Sequence, residues 1–245
     1  MKALILAAGY AKRLWPLTKN KPKPLLEVKG KTIVEHIIFG IKEIPEIDEI
    51  FIVTNEKFSI TFEDWVKEYA CKIPIKVIND LTTSNEDRKG AVGDMQYILE
   101  ETDFDDDLMV IAGDNLFEYK LIDFYNFFKE KKASIVACKD MEDKEEVKEK
   151  FGVVETNSDL KIIGFEEKPV NPKSALASTA CYVFTKKDVK KITEYIKAKN
   201  PPDNAGDFIK WLSKQTNVFA FLFKENWFDI GSFENLGKAR EEFDG

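Results

Sequence analysis

The sequence predicts an α/β fold built on a largely parallel sheet, and three features carry that prediction. Short, wholly apolar runs that read as buried strands, such as 3–6 and 108–112, recur between amphipathic stretches with helical periodicity. From residue 3 to residue 78 the order is strand, helix, strand, helix, strand, the spacing of right-handed crossovers. The length of 245 residues suits one core of ordinary size, and no internal repeat points to a solenoid.

The elements follow in order. Ala3–Leu6 is the first strand and empties into a small-residue turn, Ala7-Ala8-Gly9. A basic stretch with Lys12, Arg13, Lys19, Lys21 and Lys23 comes next, stiffened by Pro16, Pro22 and Pro24. Residues 32–44 place Ile33, Val34, Ile37, Ile38 and Ile41 on one helical face, and Thr32 with Glu35 has capping-box spacing. Strand 49–54, helix 56–70 and strand 74–78 follow, and 79–89 is a polar loop. A helix over 90–102 leads to an acidic run, 103–107, that reads as a solvated linker. The strand 108–112 stops at Gly113-Asp114-Asn115; helix 119–131 and strand 133–137 come after it. Residues 140–150 are a charged helix or exposed loop, and 151–155 with 161–165 alternate as a hairpin around 156–159. Strand 176–184, helices 186–197 and 207–215, strand 218–223 and a closing helix 233–243 complete the chain. No hexapeptide ladder follows residue 220, so no C-terminal β-helix is expected.

Composition excludes several function classes. The hydrophobic fraction of 44% and charged fraction of 33% describe a folded chain. A net charge of -7 argues against a general nucleic-acid binder or a ligand of anionic membranes, so the cations of the opening stretch stand out as a local exception. Cys71, Cys138 and Cys181 are odd in number and widely spaced, which suits buried thiols in a reducing cytoplasm rather than disulfides or zinc. No apolar run reaches transmembrane length and no signal peptide precedes the first strand.

The chemistry is expected at the carboxyl ends of the strands, where open α/β sheets bind ligands. A strand that delivers a compact turn and then several cations describes a polyphosphate site: small residues let backbone N–H groups approach phosphate oxygens, and fixed cations neutralise them. The dinucleotide pattern GxGxxG is absent after Gly9, and Gly30-Lys31-Thr32 lacks the glycine at position 25 that a Walker loop needs. Asp114 and Asp229 both fall just beyond strands, and two carboxylates beside a phosphate turn suggest a Mg²⁺ site. Taken singly, Asp114 reads equally well as a helix cap and Asp229 as a turn residue with Gly231. In Glu166-Glu167-Lys168-Pro169, Glu167 can accept from sugar hydroxyls and Lys168 can hold a phosphate, although a solvated hairpin end has the same composition. His36 is the only histidine and sits inside a predicted helix, which removes any histidine-dependent triad. Nucleotidyl transfer to a phosphate needs no general base, because the attacking oxygen is already ionised; it needs cations and in-line placement.

With these residues in hand, a resemblance becomes specific. Leu4-Ile5-Leu6-Ala7-Ala8-Gly9, Arg13-Leu14, Pro16-Leu17-Thr18 and Lys21-Pro22-Lys23-Pro24-Leu25-Leu26 resemble the opening motifs of the sugar-1-phosphate nucleotidyltransferases. Gly113-Asp114-Asn115, Phe151-Gly152-Val153-Val154-Glu155, Glu166-Glu167-Lys168-Pro169 and Trp227-Phe228-Asp229-Ile230-Gly231 match later motifs in order, with the look of the glucose-1-phosphate thymidylyltransferase branch. The resemblance spans the chain. It implies a single three-layer α/β/α domain with a Rossmann-like, mixed and mostly parallel sheet: a nucleotide-binding N-terminal part, and a part from about residue 110 to 245 that binds sugar phosphate and metal. It implies a Mg²⁺-assisted reaction of an NTP, dTTP or UTP foremost, with a sugar 1-phosphate, glucose 1-phosphate foremost, to give an NDP-sugar and pyrophosphate. Arg13 and Lys23 match the catalytic cations. Ala8, Gly9 and Gly90 match backbone positions around the nucleotide, where Lys12 and Asp80 also fall. Gly152, Glu167, Lys168 and Thr179 match the sugar-phosphate pocket, and Asp114 and Asp229 the metal carboxylates. A cytidylyltransferase with a sugar- or alcohol-phosphate acceptor and a non-catalytic sensor of sugar nucleotides are the competing readings, and self-association into a homo-oligomer stays open.

Two departures mark where this chain leaves the pattern. Ala11 replaces a loop glycine, which predicts a backbone outside glycine-only space there, and Lys12 replaces a threonine beside the phosphates. The loop from Asp80 to Gly90 is longer than the family's base-reading segment and lacks its glutamines, and Ala180 replaces a glycine after Thr179. Base and sugar preference are expected to depend on these positions.

Overall fold

The computed structural model describes residues 1–103 and 105–244. In chain order the elements are β1 (Lys2–Leu6), β2 (Glu27–Val28), β3 (Lys31–Thr32), α1 (Ile33–Ile41), β4 (Glu49–Thr54), α2 (Ser59–Glu68), β5 (Ile75–Asn79), α3 (Ala91–Glu101), β6 (Leu108–Ala112), β7 (Asn115–Phe117) and α4 (Leu121–Lys131). They continue with β8 (Ser134–Asp140), α5 (Lys144–Val147), β9 (Gly152–Thr156), β10 (Ile162–Glu167), β11 (Leu176–Phe184), α6 (Lys186–Lys197), α7 (Ala205–Leu212), β12 (Val218–Phe223), β13 (Trp227–Asp229) and α8 (Phe233–Glu242). The acidic run expected as a linker includes residue 104, which lies outside the described residues.

One sheet runs through the chain, in the order β10-β9-β11-β6-β1-β4-β5, with β8 on β11 and β12 on β8. It is mixed, as expected. Pairing is parallel from β5 through β4 and β1 to β6, and again between β8 and β12. It turns antiparallel where β11 meets β6, β8 and β9, and in the β9–β10 hairpin. The wholly apolar strands are explained by burial on both faces. Along β1, Ala3 and Ile5 pack with α1, α2, α4 and α8, while Leu4 faces the layer of α3, α6 and α7. Met109 and Ile111 of β6 repeat the first direction, Leu108 and Val110 the second. Each of these Leu, Ile, Val and Met side chains contributes about 1.5–3 kcal/mol of burial, which fixes three layers.

Helix α1 starts where its cap dictates. Thr32 accepts from the Glu35 N–H, and the Glu35 carboxylate accepts from the Thr32 N–H, a closed capping box. Among the described residues no helix is long and apolar enough to cross a membrane. Cys138 and Cys181 are buried, as expected of packing thiols, while Cys71 is only half-buried. His36 is occupied structurally, with Nε2 2.9 Å from the Val28 carbonyl and the ring edge-on to Phe243.

The topology also makes a crevice. After β1 the chain crosses to β4 and β5 on one side, then returns to β6 on the other side of β1. Such a reversal leaves an open groove beyond the carboxyl ends of β1 and β6. The loops after Leu6 and Ala112 lie across it.

Candidate active site

The turn after β1 is fixed by its neighbour β4. The Ala7 N–H donates to the Val53 carbonyl at 2.8 Å, and buried Asn55 donates from Nδ2 to the Ala8 carbonyl at 2.8 Å. Farther on, buried Thr18 donates its hydroxyl to the Ala11 carbonyl at 2.8 Å. Ala11 has φ 45° and ψ 40°. The missing loop glycine therefore has not moved the backbone out of the left-handed region; alanine enters it at a cost of about 1–2 kcal/mol.

A small ribbon brings the two expected carboxylates together. β13 pairs antiparallel with β7, with Asp229 opposite Asn115, and the Ile230 N–H donates to the Asp114 carbonyl at 3.0 Å. Asp114 is thus no helix cap, since a strand follows it. Asn115 pins the ribbon to the main sheet: its Nδ2 donates to the Thr179 carbonyl, its Oδ1 accepts from Trp227 Nε1 at 3.1 Å, and the Thr179 hydroxyl donates to the Ala137 carbonyl at 3.0 Å. Lys23 reaches in from the basic stretch and places Nζ 2.5 Å from Asp114 Oδ2. Burial, then the charge of Asp114, pushes the Asp229 carboxyl up to about 6, while Lys23, Arg13 and Lys168 pull it back. Arg13 Nη2 and both Asp229 oxygens lie within 3.9 Å of the point where a Cβ on Gly231 would stand, so the guanidinium flanks the carboxylate.

These groups form one end of a cavity of about 440 Å³. Ala8 and Gly9 line it, and Lys23, Asp114 and Asp229, held together as described, form one wall. A second wall is Gly152, Glu167, Lys168 and Thr179. A Cβ on Gly152 or on Gly206 would come 2.5 Å from Phe165 Cζ and 3.1 or 3.0 Å from Glu167 Oε2, so hydrogens at both positions are what let the carboxylate sit between two backbones. Desolvation in that slot raises the Glu167 pKa, Lys168 opposes the rise, and Asp207 adds to it. β11 bulges here: Ala180 has φ 53°, and the register with β8 shifts between Ser178 and Tyr182.

The third wall is the start of α3. Gly90 has φ +79°, and a Cβ there would meet the Asp203 Cα at 2.5 Å. The close approach lets the Ala91 N–H donate to the Asp203 carbonyl and the Val92 N–H to the Pro202 carbonyl, both at 2.9 Å. Arg88 closes the same contact with Nε and Nη2 on the two Asp203 oxygens at 3.2 and 3.0 Å. The long loop before it is ordered by Asp87, which accepts from the N–H and hydroxyl of both Thr83 and Ser84; these bonds hold its carboxyl down at about 2.

Three of the residues singled out from the sequence stand off the cavity wall. Arg13 is at its edge, as described. Lys12 is exposed and pairs with Glu86 at 3.3 Å, tying the stretch after β1 to the long loop. Asp80 is buried, and its Oδ1 accepts from the Thr82 N–H and hydroxyl, each at 2.7 Å. Asp94, Asn115 and Gly206 line the cavity without having been singled out. For Asn115 the only signal was its place beside Asp114; Asp94 and Gly206 carried none.

The donor set fits a hard divalent cation. Among the described residues no group of three or more His, Cys, Asp or Glu forms a cage. Two adjacent carboxylates are the number of protein ligands by which Mg²⁺ is held when phosphates and water complete its shell.

Known proteins resemble this chain along nearly its whole length. The sequence profile of the nucleotidyl transferase family matches residues 2–244. A bifunctional GlmU protein of Methanocaldococcus jannaschii is 34% identical over 232 residues, 94% of this chain and 51% of its own length. A UTP–glucose-1-phosphate uridylyltransferase, AglF, of Haloferax volcanii is 31% identical over 185 residues, 76% of this chain and 72% of its own. This chain thus spans about half the length of the GlmU relative. A solved UDP-glucose pyrophosphorylase complexed with UDP-glucose superposes with a TM-score of 0.81 over 98% of this chain and 96% of that one, at 24% identity, a likeness of fold.

Proposed function

Because the chain belongs to the nucleotidyl transferase family, we propose that it joins an NTP to a sugar 1-phosphate, releasing pyrophosphate and forming an NDP-sugar. UTP or dTTP is the favoured donor and glucose 1-phosphate the favoured acceptor; UTP and glucose 1-phosphate are in keeping with the name of the Haloferax volcanii relative. The observation that carries the reading is that one cavity joins a cationic, dicarboxylate end to a wall offering Glu167 and Lys168.

A phosphate oxygen of the sugar 1-phosphate attacks the α-phosphorus, the new P–O bond forms, and the bond to the β-phosphate oxygen breaks with its electrons leaving on pyrophosphate. No proton moves, which accounts for a site without histidine. Lys168 holds the sugar phosphate and Glu167 accepts from sugar hydroxyls. Lys23, anchored by Asp114, lies where two anions must approach and relieves their repulsion; Arg13 takes the charge that develops on the leaving group. Backbone from Ala8 to Gly9 and at Gly90 lines the nucleotide's path, and Thr179 fixes the acceptor wall. Asp114 and Asp229 would hold Mg²⁺, which when bound supplies charge neutralisation at the α-phosphate. Each preorganised charge is worth about 10²–10³ in turnover, or 2.7–4 kcal/mol.

The test is a pyrophosphate-release screen of the common nucleoside triphosphates against a panel of sugar 1-phosphates. One strongly favoured pair is expected, with UTP or dTTP and glucose 1-phosphate leading. Release with CTP alone would overturn the donor assignment, and release with no pair would overturn the reaction.

A further inference from the structure

A pair of buried carboxyl groups sits behind the third wall of the cavity. Asp80, at the end of β5, is 1% exposed, and Asp94, in the first turn of α3, is 5% exposed. Their carboxyl groups are within hydrogen-bonding reach of one another. Asp80 Oδ1 is saturated by Thr82, whereas Asp80 Oδ2 and Asp94 Oδ1 are sealed from solvent with no donor. Two acceptors cannot face each other dry; one proton between them satisfies both. The nearby cation Lys89 does not resolve the conflict, because its ammonium lies over the Tyr97 ring, 4.7 Å from the centroid. Desolvation, with Asp80 beside it, raises the Asp94 carboxyl to about 8, which places the proton on Asp94.

Asp94 is also part of the cavity wall. With Oδ1 turned inward to Asp80, Oδ2 is the oxygen left to face the cavity. On that side a carboxyl that keeps its proton and points the O–H at a neighbour presents a carbonyl, a neutral acceptor that does not repel a polyphosphate. Two walls are assigned by the proposed function, on which this step rests: triphosphate at Lys23, Asp114 and Asp229, sugar phosphate at Glu167 and Lys168. The wall left for the base is that of Asp94, Arg88 and Gly90. We infer that Asp94 reads the base of the bound triphosphate, its O–H donating a hydrogen bond to Asp80 and its Oδ2 accepting from an N–H of the base.

The experiment combines calorimetry of Mg-NTP binding with infrared spectroscopy of the full chain. Asp94→Leu is expected to weaken the tightest-binding triphosphate by about tenfold, the scale of one hydrogen bond in a dry site, and to leave inorganic tripolyphosphate bound as before. Asp94→Asn, whose amide donates to Asp80 and keeps a carbonyl on the cavity, should restore binding to within about threefold. The Asp94 component of the protonated-carboxyl band at pH 7, isolated as the difference between wild type and Asp94→Asn, should shift with NTP but not with tripolyphosphate; this arm is independent of how the leucine variant folds. Wild-type constants in a folded Asp94→Leu, failure of Asp94→Asn to restore binding, or a band that ignores NTP would each overturn the inference. Wild-type protein that binds NTP with these ratios but releases no pyrophosphate would sink the proposed reaction and support the base-reading role.

Discussion

Replacing Asp94 by asparagine should make the protein more stable, and increasingly so as pH rises. The folded carboxyl titrates near 8, against 3.8 for a free aspartate, so folding takes up a proton throughout that window. A group whose folded pKa is raised stabilises fully below its unfolded value and loses that contribution as pH climbs through the folded one. Each pH unit inside the window removes ~1.4 kcal/mol, so the wild type should lose about 3–4 kcal/mol between pH 5 and pH 8 on this account. Asparagine cannot ionise and keeps a donor toward Asp80. Urea unfolding of both proteins at pH 5, 6, 7 and 8 isolates the pair, because titrating groups remote from Asp80 and Asp94 cancel in the difference. The advantage of Asp94→Asn should grow by at least ~2 kcal/mol across the series. A difference that stays flat with pH, or one that favours the wild type at pH 8, would refute the shared proton.

Other expectations follow from the same geometry. Gly90→Ala should destabilise by about 2–4 kcal/mol in chemical denaturation, since it forces a Cβ onto the Asp203 backbone at positive φ; a wild-type midpoint would contradict this. Ala180→Gly should stabilise by ~0.5–1 kcal/mol, relief of left-handed strain less the added entropy of the unfolded chain, and a loss of stability would show that the Ala180 methyl packs usefully. Asp229→Asn should lower kcat by at least ~10²-fold with the fold intact by circular dichroism, and near-normal turnover would remove it from the metal site.

Most of the fold was legible because its signals are local. Strands buried on both faces read as unbroken apolar runs, and Thr32 with Glu35 announced the start of α1. The ribbon of β7 and β13 was not legible: Asn-Leu-Phe and Trp-Phe-Asp are three residues each, too short for any period, and Asp229 pairs with Asn115 from far along the sequence. Yet that ribbon is what makes Asp114 and Asp229 neighbours. At the site, residues carried on motifs at strand ends could be singled out one by one. Asp94 could not, because an aspartate in the first turn of a helix ordinarily faces water, and its burial comes from meeting Asp80 at the end of another element. Lys12 shows the reverse: a cation in the basic stretch, expected beside phosphates, whose partner, Glu86, lies on the long loop.

The central claim is a single in-line displacement by the sugar phosphate, with no nucleotidyl group ever carried on the protein. The direct test uses the productive triphosphate made chiral at the α-phosphorus by sulfur substitution, with the configuration of the nucleotide-sugar product read by ³¹P NMR. Inversion is the result expected of this site; retention, which requires two displacements and a covalent intermediate, would contradict it.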